Sequence, residues 1–309
     1  MTPAPATHQS HNCLTHPHPR ITNPYIVNTP LILITNDDGY QAAGIQALAR
    51  AVAPLGEIYV VAPDGARSGA AAAITSTTPV SYSPLTFDKT QSPNPLSSLT
   101  AGTQEGATVP SPYVEGLHLY SCSGTPVDCV KLALEQIVPR KPDLILSGIN
   151  HGDNASVSIH YSGTMGAVLE GCMKDIPSIG ISLYLQRGQR YEDHPVSEDT
   201  LAAAAALCRR VLEQGLPQDV CLNINLPIAH KFRGWQVCRQ ARGRWSAEWT
   251  DAHNPRGQRC FWLTGEFTDL EPEATDTDFA ALRAGYCSIV PVTVDTTAYH
   301  ATQHINTLL

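Results

Sequence analysis

One unit recurs along this chain: a short run of branched apolar residues, a polar break, then a stretch with helical spacing. Residues 30–35 (PLILIT) are the first run, without polar alternation, as expected of a strand buried on both faces. Asn36-Asp37-Asp38-Gly39 ends it. Residues 43–54 carry apolar positions at helical spacing, and residues 58–62 (IYVVA) form a second run closed by Pro63-Asp64-Gly65. Strand, helix and strand with short links make a βαβ unit, which requires a parallel pair and a right-handed crossover. The rhythm continues with a helix over 126–137 and a strand over 144–146. A helix over 163–173, a strand over 178–182, a helix over 197–214 and a strand over 220–225 complete it. The expected fold is α/β: a Rossmann-like, doubly wound, mostly parallel sheet.

Three stretches fall outside the rhythm. Residues 1–29 are rich in Pro, His, Thr and Asn without periodicity, and read as a flexible extension. Its His8, His11, His16 and His18 belong to a solvated tail more readily than to a weak metal site. Residues 83–112, rich in Ser, Pro, Thr and Gly, read as an exposed insertion. After residue 228 the helical rhythm fades, and 229–309 is expected to be a smaller, strand-rich C-terminal part. The catalytic domain then spans 30–228.

Bulk properties exclude several classes. The net charge is −8 and no Lys/Arg-rich run occurs, so a nucleic-acid polymer is not the expected partner. An anionic substrate must therefore be captured locally, by a metal, backbone N–H groups or a few cations. No apolar run approaches the roughly 20 residues that span a bilayer, and the N-terminus lacks a secretory layout, so no membrane partner and a cytoplasmic location are expected. The nine cysteines are odd in number, widely spaced and without CxxC, which fits reduced thiols rather than a disulfide frame or a zinc site. No GxGxxG, GxxxxGK[ST] or GxSxG occurs. The histidines at 118, 151, 160, 194 and 253 are scattered, although His151 and His160 flank the Asn150 loop.

In open parallel sheets, ligands sit beyond the carboxyl ends of the strands. After the first strand come Asn36, Asp37, Asp38 and Gly39. After the second come Asp64, Arg67, Ser68 and Gly69. After the strand at 144–146 come Ser147, Gly148, Asn150, Gly152 and Asn154. Adjacent aspartates repel each other, and both stay ionised only where a cation or hydrogen-bond donors offset the repulsion. A hard divalent cation with oxygen ligands does so. The competing reading makes Asp37 and Asp38 turn and cap residues before the first helix. Ser162-Gly163-Thr164 opens the helix at 163–173, where backbone N–H groups suit phosphate, and an ordinary Ser/Thr cap explains the same residues. Thr125 and Pro126 have a structural explanation as N-cap and first helical residue.

The joint pattern resembles the SurE family of survival proteins, which are 5′/3′-nucleotidases. It is carried by ILITNDDGYQAAGIQAL, VVAPDGARSG, CSGTPVDCVKLAL, DLILSGINHGDN, YSGTMGAVLEG, IPSIGISL and LNINLP. PRGQRCFWLTGE, TDFAALRAGYCSIVP and the tail around Asp295 also match, so the resemblance covers about residues 31–300 and omits the 83–112 stretch. It implies one divalent cation per subunit, Mg²⁺ or Mn²⁺, held by Asp37, Asp38, Ser68 and Asn150. It also implies a nucleoside monophosphate substrate, with cleavage of 3′-monophosphates and of short polyphosphate left open. The C-terminal part would exchange segments between subunits in a homodimer or homotetramer. The chain departs from the family pattern at Ala70-Ala71-Ala72-Ala73, where a polar residue and a His are usual, and at 155–160 (ASVSIH), where a Gly-rich run is common.

The expected chemistry is attack on phosphorus by a metal-activated water. Asp37 and Asp38 are the catalytic candidates, and Asn36, Ser162, Gly163 and Thr164 the candidates for holding phosphate oxygens. Two other classes remain as alternatives: a phosphatase of the haloacid dehalogenase type, whose DxD spacing is not met by adjacent aspartates, and a non-catalytic nucleotide-binding stress protein.

Overall fold

A computed structural model describes residues 29–88, 108–110, 116–186, 188–229 and 231–309. The N-terminal extension and most of the 83–112 stretch lie outside the described residues.

The expected βαβ alternation is present. Strand β1 (Leu31–Thr35) leads to α1 (Ala43–Val52) and β2 (Glu57–Pro63). Strands β3 (Tyr82–Asp88), β4 (Thr108–Pro110) and β5 (His118–Cys122) follow, then α2 (Pro126–Leu132), which runs on through a π-helical turn to Ile137. Next come β6 (Leu144–His151), α3 (Gly163–Met173), β7 (Ser178–Tyr184), α4 (Glu198–Gln214) and β8 (Val220–Pro227). The C-terminal part adds β9 (Trp235–Val237), β10 (Gly243–Ser246), β11 (Trp249–His253), β12 (Arg259–Leu263) and β13 (Glu266–Asp269). Helix α5 (Asp278–Arg283), strand β14 (Cys287–Thr293) and the short α6 (Thr302–Asn306) end the chain.

The central sheet has the order β4-β3-β5-β2-β1-β6-β7-β8-β14-β9. From β5 to β8 all neighbours are parallel, while β3 and β14 join antiparallel to β5 and β8. Strand β1 is fully buried and alternates its side chains between two cores. Ile32 and Ile34 pack with Ile45 and Leu48 of α1 and Leu201 of α4; Leu31 and Leu33 pack with Val130 of α2 and Ala167 of α3. Helices on both faces explain why the run shows no polar alternation. β1 lies where the chain order reverses, between β2 and β6, the switch point at which such sheets open a crevice.

Local rules hold the helices. Thr125 and Asp128 form a reciprocal capping box at α2 with Pro126 in the first turn. Helix α1 lies so close to β6 that a Cβ at Gly44 would stand 1.9 Å from the Ile149 carbonyl oxygen, so only glycine fits there.

Two segments differ from the sequence reading in how they join the sheet. Tyr82–Asp88, at the start of the 83–112 stretch, is a strand registered against β5. Its Pro84 and Ser83 conceal the strand signal; Pro84 is tolerated because residues 82–85 pair on one side only, with β5, while β4 joins from Thr86 onward. Past residue 228, β14 returns to pair with β8 and is followed in the sheet by β9, so the central sheet continues beyond that boundary. The rest of the C-terminal part forms two separate antiparallel pairs, β10 with β13 and β11 with β12. All eight cysteines among the described residues are free thiols. No helix among the described residues is long and apolar enough to cross a membrane.

Candidate active site at the tips of β1 and β6

The tips of β1 and β6 meet in a cavity of about 360 Å³. Asp37, Ser68, Asn150 and Ser162 line it together, although 125 positions separate the first from the last. From the far side the C-terminal part closes it with Trp245 of β10, Leu263 at the end of β12, and Glu248 and Thr264 from the adjoining connections.

Asp37 is the centre of this arrangement. It is 4% exposed, and its Oδ1 accepts a hydrogen bond from the Thr164 hydroxyl at 2.7 Å. Burial pushes the Asp37 carboxyl up to about 6; the Thr164 bond works against that shift and the neighbouring Asp38 adds to it. The Asp37 carbonyl accepts from the Arg67 N–H at 2.7 Å, which ties the Ser68 turn to the tip of β1. Helix α3 begins against the same side chain. A Cβ at Gly163 would stand 2.9 Å from the Asp37 Cβ and 3.1 Å from its Oδ2, so glycine is what lets the helix start there.

Asp38 is half-buried and is not among the residues lining the cavity. Its Oδ2 accepts from the His151 backbone N–H at 3.0 Å, and burial again raises its carboxyl above the ordinary value. His151 is in turn fixed by stacking on Tyr191 at 4.2 Å, while its Nε2 accepts from the Gly44 N–H at 3.3 Å. Burial lowers its pKa, which agrees with a neutral, accepting imidazole.

The Ser68 turn is pinned from below. Asp128 accepts from the Thr75 N–H and hydroxyl and from the Thr125 N–H. Burial pushes the Asp128 carboxyl up, but these bonds together outweigh it and leave it below its ordinary value. The four alanines at 70–73 lie in this loop, where the Ala71 N–H donates to the Tyr161 carbonyl at 3.2 Å. The loop after β6 is held by β8: Asn225 Oδ1 accepts from the Asn154 N–H at 2.8 Å and Asn223 Nδ2 donates to the Asn154 carbonyl at 2.8 Å. Asn154 Nδ2 donates to Ser182 of β7 at 2.7 Å.

The donor set suits a hard cation. Asn150 Nδ2 donates to the Gly152 carbonyl at 2.7 Å, which leaves Oδ1 as its available atom. Among the described residues no group of three or more His, Cys, Asp or Glu is arranged to hold a metal. The cavity-lining donors Asp37, Ser68 and Asn150 are all oxygens, the ligand type that a hard cation prefers over a thiophilic one.

The phosphate candidates separate by geometry. Ser162 lines the cavity and its Oγ caps α3 by accepting from the Met165 N–H at 3.0 Å. The N–H groups of Gly163 and Thr164 are first-turn donors without intrahelical partners. The Thr164 side chain itself is fully buried and committed to Asp37. Asn36 is also fully buried, and its amide closes the turn: Nδ2 donates to the Gly39 carbonyl and Oδ1 accepts from the Gly39 N–H.

Sequence reasoning missed Asp153, Ser158, Tyr161, Trp245, Glu248, Leu263 and Thr264 in the wall, and Asn223 and Asn225 behind it. A signal existed only for the last two, as polar residues inside the apolar run of β8.

The model of the family described as survival protein SurE matches residues 32–247. A Phocaeicola vulgatus protein described as 5′-nucleotidase SurE is 46% identical over 270 residues, 87% of this chain and 93% of that protein. A Bacteroides fragilis protein of the same description is 46% identical over 274 residues, 88% of this chain and 94% of that one. The crystal structure of the SurE protein from Aquifex aeolicus is similar with a TM-score of 0.67 and 30% identity, over 90% of this chain and 99% of that chain.

Proposed function

The chain belongs to the SurE family, and on that premise we propose that it hydrolyses nucleoside 5′-monophosphates to nucleoside and phosphate with a divalent cation. The observation that carries this reading is the charge of the cavity. Among the described residues its wall holds three carboxylates, Asp37, Asp153 and Glu248, and no Lys or Arg. Side-chain charge alone would repel a phosphate there, so a cation at the Asp37 end is what makes the site attractive to it.

Asp37, Asp38, Ser68 and Asn150 would hold one Mg²⁺ or Mn²⁺ per subunit. When bound, such an ion polarises a phosphoryl oxygen and makes water a stronger acid near neutral pH. The chain's own groups supply the rest. The Gly163 and Thr164 N–H groups, at the positive end of α3, take phosphoryl oxygens. Thr164 holds Asp37 Oδ1, so Oδ2 is the oxygen free for the cation or for the proton of the attacking water. That water forms the new P–O bond, the bond to the ribose oxygen breaks, and the water's proton finishes on the leaving oxygen. Asn36 shapes the turn that presents Asp37. 3′-Monophosphates and short polyphosphate present the same terminal phosphoryl group and belong to the same proposal.

We also place the chain in a homodimer or homotetramer. Support comes from the β11–β12 pair, where Trp249 is 64% exposed and Trp262 and Leu263 are each 68% exposed, a surface of the kind that partners cover.

The test is phosphate release from AMP by the purified protein with Mn²⁺, with EDTA, and in Asp38→Asn. Turnover should need the metal and fall at least 100-fold in the variant. Full activity of Asp38→Asn with Mn²⁺, or undiminished turnover in EDTA, would overturn the reading, and a trapped aspartyl-phosphate would replace water attack with an Asp nucleophile.

A further inference from the structure

Behind the phosphate end lies a second chamber, of about 770 Å³. Tyr184, Trp245, Phe267 and Phe279 give it an aromatic lining, with Asp153 and Ser158 at its polar side. Asp153, Ser158, Trp245 and Thr264 are walls of both this chamber and the cavity of Asp37. The aromatic rings brace one another: Trp245 meets Phe267 edge-on at 5.5 Å, Phe267 meets Phe279 at 5.0 Å, and Tyr184 meets Phe279 edge-on at 6.0 Å. Such a set is already ordered before anything binds, which lowers the entropic cost of receiving a flat ligand.

Asp153 is half-buried in the wall that the two cavities share. Its Oδ1 accepts from the Ala155 N–H at 3.1 Å, and no side-chain donor among the described residues reaches the carboxylate. Burial pushes its carboxyl up to about 6. The neighbouring Asp278 is occupied elsewhere, accepting from the Ser156, Ala241 and Phe279 N–H groups. Asp153 follows Asn150 by three residues, so their Cα atoms are at most about 11 Å apart, and Asp153 lines the same cavity as Ser162.

The order along the two cavities is then a phosphate site, a carboxylate seeking donors, and an aromatic chamber. A nucleoside 5′-monophosphate carries its groups in that order: phosphate, ribose diol, base. We propose that Asp153 and the chamber beside it read the nucleoside, the Asp153 carboxylate accepting from the ribose hydroxyls and the base lodging against Trp245 and Phe267. This rests on the phosphatase reading of the Asp37 end and adds to it which residues select the leaving group.

The test compares AMP with 2′,3′-dideoxy-AMP, which lacks both hydroxyls, in the full-length protein with Mn²⁺. A hydrogen bond to a charged group is worth about 10- to 100-fold in such comparisons. The wild-type protein should favour AMP in kcat/KM by at least about 10-fold. Asp153→Ala should bring the ratio of the two substrates to near one, and Asp153→Asn, which keeps the side-chain size and an acceptor for Ala155, should give an intermediate ratio. Because each ratio is taken on one preparation, a partial loss of folded protein cancels from it. A wild-type ratio near one, or an unchanged ratio in both variants, overturns the proposal. Hydrolysis of p-nitrophenyl phosphate without any hydrolysis of nucleotides overturns the nucleotidase reading first, and this proposal with it; hydrolysis of both nucleotides at equal rates overturns the proposal alone.

Discussion

Asp37→Asn separates the folding cost of the site from its function. Asp37 is 4% exposed, and its carboxyl is displaced from the ordinary 3.8 to about 6. A raised carboxyl pKa means that the folded chain binds the proton more tightly than the unfolded chain. The cost of burying the charge is thus absent below the unfolded value, grows as pH rises, and is complete above the folded value. The displacement, at 1.36 kcal/mol per unit, corresponds to about 3 kcal/mol at pH 7.5. Asparagine carries no charge, and its Oδ1 can still accept from Thr164. In EDTA the variant should therefore be more stable than the wild-type protein by about 3 kcal/mol at pH 7.5, with the gain fading towards pH 4. Urea unfolding across that pH range measures it. Mn²⁺ should reverse the ranking, since it binds the wild-type folded state and stabilises it by mass action. A difference that does not change with pH, or a variant destabilised at pH 7.5 in EDTA, would refute the reasoning, because the buried charge would then cost nothing.

Two further outcomes follow from the same contacts. Thr164→Val removes the one side-chain donor to Asp37 among the described residues, so the carboxyl moves further up and proton competition with the cation strengthens. Mn²⁺ affinity near pH 7, read by calorimetry, should fall about tenfold or more and recover as pH rises. Gly163→Ala brings a Cβ to 2.9 Å from the Asp37 Cβ, so the helix start must move; AMP turnover should drop at least 100-fold while far-UV circular dichroism is retained.

The chain order of α and β segments is legible in the sequence because each signal is local. Strand β1 reads as buried on both faces from five consecutive residues, and the Thr125 cap and Pro126 start of α2 lie within four. The strand-tip rule then singles out Asp37 and Asp38 before any coordinates, since a polar break after a buried run must lie at the open end of the sheet. The β3 strand is not legible. Its stability comes from registration on β5, and its own residues include Pro84. β14 falls in the part read as strand-rich, and its place beside β8 is not legible, because pairing partners are chosen by packing across the whole sheet.

At the site the division is similar. Local pattern is enough to show which carboxylates stand at the tip of β1 and that a Ser-Gly-Thr helix start follows β6. What each of these side chains faces depends on long-range packing. Thr164 donates to a carboxylate 127 positions away, Asn36 is spent on its own turn, and Asp38 answers the His151 backbone. The far wall, with Trp245, Glu248 and Thr264, comes from strands and connections about 200 residues after Asp37. Hydrophobic period and capping chemistry report a residue's neighbours within one turn or one pleat. They carry no information on which distant loop closes over a crevice, and that closure sets what the Asp37 cavity can hold.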